Sequence, residues 1–305
     1  MIHAKPSLIV MMLSLRTVLG IFVLHDRNEI DLFCLISCLM ISSFIVNLIC
    51  PATYSLFSLI VSTTMSIQFV WNGNIPSIFE LCMIPLMTVM LIGGPMSVGL
   101  HRFFSHKAFE TSRIMQFFLG IFACLAFQGD PLWWAIMHNR HHKHCDSEKD
   151  PHSFIQRGFY YAFFGWMINP INYQLNDSDY SNLYPCFIVP ELRILSRLHM
   201  MPCIAVCSIC YICIGYSAMI FGLVIPLIAC RIITLLFNVE YHGNNKEIQG
   251  CQSIDNDRFL AKLVGESKHK HHHVHPRKAN RPDWDLPYVF ILAPLEIMGM
   301  IWNLR

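Results

Sequence analysis

Long apolar runs alternate with short polar segments along this chain, and the polar segments are rich in histidine. The runs fall at 7–24, 32–50, 54–71, 79–99, 199–216 and 218–238, each dominated by Leu, Ile, Met, Phe and Val. A helix needs about 20 such residues to cross the hydrocarbon of a bilayer. Soluble helices interleave charges at helical spacing, and these runs do not. The pattern therefore predicts an all-α integral membrane protein built from transmembrane helical hairpins. Arg16 sits inside the first run and no small-residue cleavage site follows it, so the run reads as a retained segment rather than a signal peptide. Two further stretches, 114–128 and 287–303, are short for a crossing. Basic segments flank the first of them and must share one compartment, so it is expected to lie in, or dip into, the membrane. The aromatic stretch "RGFYYAFFGWMINP" from Arg157 suits a membrane–water interface. No repeat or low-complexity linker divides the chain. One domain is expected over 76–305, behind a hydrophobic segment at 1–75 with no assigned role.

Composition supports embedding: 54% of the 305 residues are hydrophobic and 14% charged, against about 25% charged in an ordinary soluble domain. A formal net charge of +2 gives no reason to expect a nucleic-acid partner. Lys and Arg gather in 102–157 and 246–281, which places those segments on the cytoplasmic side of a bacterial inner membrane or an ER-like membrane. Of thirteen cysteines, Cys34, Cys38, Cys82, Cys124, Cys203, Cys207, Cys210 and Cys213 lie in apolar runs. Cys203, Cys207 and Cys210 share one helical face; small packing residues are the expected role, a soft-metal site the alternative. Cys145 and Cys251 fall in the cytoplasmic segments, where thiols are expected to stay reduced.

The sixteen histidines carry the chemistry. His138, His141 and His142 stand at i, i+3, i+4, which puts three imidazoles on one helical face. His269, His272 and His273 repeat the spacing. His101 and His106 are five apart, roughly 140° around an α-helix, and need a bend or helix end to converge. Asn238 and His242 stand at i, i+4. Neutral imidazole ligates Fe, Zn, Cu and Ni, and nine such rings exceed what one tetrahedral zinc takes. Nine divide as four and five over two metals, leaving one ion a donor short; Asn238 can fill that place directly or through water. The scarcity of carboxylates in the clusters argues against a Glu-x-x-His bundle. His144, His271 and His275 lie off the repeated spacing, and His3, His25 and His199 read as ordinary polar residues. Taken singly, "HKHHHVH" also reads as a metal sponge and Asn238 with His242 as a helix cap.

Taken together, "GLHRFFSH", "HNRHHKHCDSEKDPHS", "FNVEYHG" and "GESKHKHHHVHP" resemble in order and spacing the histidine boxes of the membrane fatty acyl desaturases. The likeness is to the stearoyl/Δ9 branch, especially its bacterial members. "FQGDPLWWA" and "DNDRFLAKLVGE" support it, and it runs from about residue 79 onward. The resemblance implies transmembrane helices under a cytosolic helical cap that holds two iron ions. The implied ligands are His101, His106, His138, His141, His142, His242, His269, His272 and His273, with Asn238 direct or water-bridged. Trp133 and Trp134 would line or border a bent acyl tunnel, and Glu240, Asp150, His152 and Glu266 would stand behind the ligands.

The implied reaction is insertion of a cis double bond, Δ9-type, into a saturated acyl chain with O2 and two electrons. Three departures bear on it, one being Glu240 where the family pattern usually carries a small or uncharged residue. Ser267, Lys268, Lys270 and His271 replace the usual inner residues of the third box, so the lysines must turn away from a metal. Ile136 and Met137 stand where acyl-CoA members carry an Arg-Asp pair, which keeps a lipid-linked or carrier-linked chain in view beside acyl-CoA. No dinucleotide fingerprint or fused haem motif appears. An external ferredoxin or cytochrome b5-type donor is therefore expected on a patch of Lys143, Lys268, Lys270, Arg277, Lys278 and Arg281. The rival readings are a di-iron acyl or alkyl hydroxylase and a His-rich membrane metal-handling protein. The latter would need ionisable groups lining its spans.

Overall fold

The computed structural model describes residues 51–305, apart from 182, 185–186, 188, 244 and 246–249. The runs at 7–24 and 32–50, with His3 and His25, lie outside the described residues. Helix α1 (Pro51–Trp71) turns at Gly73, whose φ of +82° suits glycine, into α2 (Ile78–Ser105). A capping box starts α2: Ser77 Oγ accepts from Glu80 N, and Glu80 Oε2 accepts from Ser77 N at 2.8 Å. Regular α winding holds to Leu91; from Ile92 to Ser105 the helix widens to π geometry. Pro95 supplies no N–H there, and Gly93, Gly94 and Gly99 let neighbours in close. A Cβ on Gly94 would stand 2.7 Å from the Phe122 ring, and one on Gly99 3.1 Å from the Ala123 Cα. Helix α3 (Arg113–Cys124) packs in that groove.

A turn with Phe127 at φ +59° and Gly129 at φ +101° leads to Asp130. Its side chain caps α4 (Pro131–His144), with Pro131 in the first turn. Helices α5 (Pro190–Arg197) and α6 (Met201–Cys213) meet at a 65° bend, and Gly215 at φ +123° separates α6 from α7 (Tyr216–Glu240). Short helices α8 (His269–Val274) and α9 (Tyr288–Ile297) follow. Among the described residues two helices, α2 and α7, are long and apolar enough to cross a membrane, and the bent α5–α6 pair could make a third span. The run at 199–216 thus forms one 13-residue helix, Met201–Cys213, too short to cross by itself. Helix α3, with 12 residues, is too short to cross.

The all-α expectation needs one addition. Strands β1 (Glu110–Thr111) and β2 (Ile301–Trp302) pair antiparallel and tie the end of the chain to the loop after α2. A second tie joins α2 to the segment that follows α8. Arg102, wholly buried, makes two 2.8 Å bonds to the Asp285 carboxylate and a third to the Ala279 carbonyl. Gly265 passes beside this pair at φ +70°. A Cβ there would collide with the guanidinium and come within 2.5 Å of Asp285 Oδ1.

A histidine-lined candidate metal centre

The π winding of α2 answers the five-residue spacing of His101 and His106. In an i→i+5 helix, residues five apart follow one another along one face, and the two rings sit 5.1 Å apart. Helix α4 presents His138 and His142 to them, and α8 adds His272. Five Nε2 atoms converge: His101 to His272 at 2.9 Å, His272 to His142 at 2.9 Å, His142 to His138 at 3.0 Å and His138 to His106 at 3.0 Å. These five form one group able to hold a metal ion. The second group joins it through α4. His141 points to the other side, toward His242 and His273, with ring centroids 4.8 and 5.1 Å away. His269 closes it, with Nε2 3.3 Å from that of His242 and 3.0 Å from that of His273. The nine rings thus divide five and four.

Carboxylates fix how three rings present themselves. Asp150 Oδ2 accepts from His141 Nδ1 at 2.9 Å, Asp146 Oδ2 from His242 Nδ1 at 3.0 Å, and Glu266 Oε1 from His101 Nδ1 at 3.0 Å. A proton held on Nδ1 leaves the Nε2 lone pair facing inward. Each acceptor is itself held. Asp150 takes the N–H groups of Asp146 and His152, Asp146 that of Gln252, and Glu266 the Ser97 hydroxyl at 2.5 Å. Burial, then the neighbouring rings, push His106, His138, His141, His142 and His269 well below the usual imidazole value. Burial and then the Arg281 charge do the same to His272. Burial and then His242 bring His273 to about 3. These seven rings are therefore neutral at pH 7, and each neutral ring keeps one unprotonated nitrogen with which it can ligate a cation. The donor set fits metal ions that accept imidazole nitrogen.

Glu266 is ionised despite its burial. Desolvation alone would raise its carboxyl, but His101, Arg281 and Arg102 bring it down to about 2. Arg281, expected on the surface patch, is 4% exposed instead, and its three guanidinium nitrogens make no hydrogen bond among the described residues. Burial lowers it to about 10 against the pull of Glu266. Lys143, Lys270, Arg277 and Lys278 remain exposed. Lys268 turns outward to Asp257 Oδ1 at 3.1 Å, so the lysines of the third box do face away from the rings.

A cavity of about 60 Å³ opens among the rings: His101, His138, His141, His242 and His269 line it together with Met96, Trp134, Thr234, Phe237, Asn238 and Tyr241. Asn238 stands in that wall; its Nδ2 donates to the Ala162 carbonyl at 3.3 Å, leaving Oδ1 as its other polar atom. Trp134 lines the cavity and stacks on His138 at 4.9 Å. Trp133 does not. It stacks between Trp166 and Tyr173 and donates to Asn172 O, because consecutive helical residues point about 100° apart. His152 lines the cavity and stacks on His141 at 4.3 Å. Glu240 stands apart from the rings, bonded to Arg258 Nη1; two residues before His242 is the far side of the helix. Cys145 and Cys251, expected as thiols, form a disulfide beside His242 and His273.

Sequence reasoning missed Asp146, Ser97 and the Cys145–Cys251 bond. Asp146 was findable as a carboxylate four residues past His142, inside the second box. Ser97 was findable too, four residues before His101 on the same helix, whereas Cys251 comes from a distant segment.

What fold and rings define is a class: a helical membrane protein with a histidine-built metal-binding cluster at the ends of its spans. The profile of the family "Fatty acid desaturase" matches residues 81–296, and the chain belongs to that family. It is 26% identical over 222 residues to the probable lipid desaturase ADS3.2, chloroplastic, of Arabidopsis thaliana, covering 71% of this chain and 61% of that protein. It is 28% identical over 277 residues to the hex-5-enoyl-[acyl-carrier protein] acetylenase of Moorena producens, covering 80% and 82%. With the sn-1 stearoyl-lipid 9-desaturase of Anabaena variabilis it shares 27% identity over 231 residues, covering 73% and 83%.

Proposed function

We propose that this protein is an O2-dependent fatty acyl desaturase that inserts a cis double bond, Δ9-type, using two iron ions. The observation that carries the reading is the pair of adjoining imidazole groups that line one small cavity. His101, His106, His138, His142 and His272 would hold one ion. His141, His242, His269 and His273 would hold the other, with Asn238 direct or through water. The bound irons supply what side chains lack, the oxidation of an unactivated chain by O2. The balance is one O2, two electrons, two protons and two chain hydrogens, giving one alkene and two waters.

The remaining work belongs to the protein. Asp150, Asp146 and Glu266 keep the Nδ1 protons of three rings in place. Trp134, Thr234, Phe237 and Met96 hold the chain against the rings, and their packing excludes water. Electrons arrive from a separate ferredoxin or cytochrome b5-type protein docking near Lys143, Lys270, Arg277 and Lys278, on the cytoplasmic side of the membrane. Ile136 and Met137 are buried, 4% and 1% exposed, so these positions offer nothing to a CoA head group. This supports a lipid-linked or carrier-linked substrate. The test is expression in a host without its own desaturase, with fatty-acid methyl ester analysis. A new monoene, absent with His141→Ala, is the expected result. A hydroxy acid instead identifies an oxygenase, and unchanged lipids with altered metal tolerance a metal-handling protein.

A further inference from the structure

Tyr241 follows the last turn of α7 and is 1% exposed. It lines the cavity among the rings. Its ring packs beside two further wall residues, with centroids 4.8 Å from Phe237 and 4.9 Å from His269. Its hydroxyl makes no hydrogen bond among the described residues. A buried hydroxyl that bonds to nothing is destabilising, and native structures rarely keep one without a use. The Glu266 charge acts on the phenol more strongly than that of Glu240, its neighbour in the chain. This sets the hydroxyl on the Glu266 side, where the cavity lies. Much of the other donor capacity of the wall is committed. Thr234 Oγ1 donates to the Cys230 carbonyl at 2.8 Å, and Asn238 Nδ2 to that of Ala162. The Nδ1 atoms of His101, His141 and His242 face Glu266, Asp150 and Asp146. His152 Nδ1 also lacks a bond, but Asp150 Oδ1 stands 3.9 Å from it.

We infer that the Tyr241 hydroxyl is the hydrogen-bond donor that holds and orients a small oxygen ligand, O2 or water, in the cavity between the two imidazole groups. The inference rests on the reading of those groups as an iron site. The cavity of about 60 Å³ exceeds the about 10–15 Å³ that holds one water, so a small molecule fits beside the rings. A phenol is protonated at pH 7 and donates one bond. Phe237 and Met96 on the same wall offer such a ligand no donor. The bond strengthens as negative charge builds on its acceptor. The hydroxyl thus favours uptake of electrons by O2 while fixing its direction in the cavity.

The probe is azide, a small anion that accepts hydrogen bonds and gives ferric sites a visible absorption band. Full-length, iron-loaded protein in detergent is oxidised to the ferric state and titrated with azide, a readout that needs no turnover. Tyr241→Phe keeps the ring against His269 and Phe237 and removes only the donor. It should bind azide about ten- to hundredfold more weakly, the scale of one hydrogen bond to a charged acceptor, at the same iron content as wild type. Metal-free Tyr241→Phe should melt no lower than wild type, because the hydroxyl it loses has no partner in the protein. Equal azide affinities, or a wild type that gives no azide band, overturn the inference. A lower melt overturns it by revealing a structural bond. Lost iron, or a phenolate-to-iron band in azide-free wild type that vanishes in the variant, overturns it by making the hydroxyl a ligand. Should Tyr241→Phe not accumulate, Tyr241→Leu removes the same donor and must show the same weakening; unchanged affinity there overturns it equally. A host that makes no monoene while the azide difference stands sinks the desaturase reading alone. Monoene formation with equal azide affinities sinks this inference alone.

Discussion

Replacing Glu266 by Gln changes one charge and little else. Glu266 Oε1 accepts both the His101 Nδ1 proton and the Ser97 hydroxyl, and a carboxamide oxygen can take both bonds. What is lost is the negative charge that makes His101 a stronger donor and offsets the buried Arg281 guanidinium. Replacing a group that backs a metal ligand typically weakens metal binding 10–100-fold, or about 1.4–2.8 kcal/mol at about 1.4 kcal/mol per decade. The uncompensated Arg281 pushes toward the upper end, because its charge falls on His272 and His106 of the same group. The assay is iron retained by purified full-length protein equilibrated against graded chelator. The midpoint should move by one to two decades for the five-histidine group alone. Equal midpoints for Glu266→Gln and wild type would refute the reasoning that the carboxylate acts through its charge. Restoration by Arg281→Met in the double variant would assign the upper part of the loss to the stranded cation.

Asp150→Ala should cost more stability than Glu266→Gln, since it strands the His141 Nδ1 donor and the N–H groups of Asp146 and His152, at about 1–3 kcal/mol for each buried orphan; an unchanged Tm in detergent contradicts this. Gly265→Ala should destabilise by more than about 1 kcal/mol, because its φ of +70° disfavours a side chain and its Cβ would strike the Arg102–Asp285 pair; thermal melts showing no loss would contradict it. The metal-free protein should lose stability as pH falls below about 6.5. Its buried rings, His141 among them, have lowered folded values, down to about 3 for His273, so the unfolded chain binds more protons across that window. Each ring contributes up to about 1.4 kcal/mol per pH unit, and melts that stay flat or rise toward acid would overturn the assignment of neutral rings.

Periodicity made much of this legible. The i, i+3, i+4 spacings of α4 and α8 put three rings on one face of each helix, and the structure brings both faces together. The long apolar runs at 79–99 and 218–238 became α2 and α7. Other features were hidden for physical reasons. The convergence of His101 and His106 depends on π winding, which Pro95 and the nearby glycines permit but do not announce. Trp133 and Trp134 look equivalent in sequence, yet a 100° step sends one to the cavity and the other into the Trp166–Tyr173 stack. Glu240 is close to His242 along the chain but faces Arg258 in space. Arg281 reads as a surface cation because a charge next to a polar loop is usually solvated; here it is enclosed beside Glu266.

Metal analysis of the purified full-length protein is the most direct test of nine imidazoles sharing two ions. The account predicts two irons per chain, with His272→Ala and His269→Ala each weakening a different one. A single zinc, or the same loss from both variants, would contradict it.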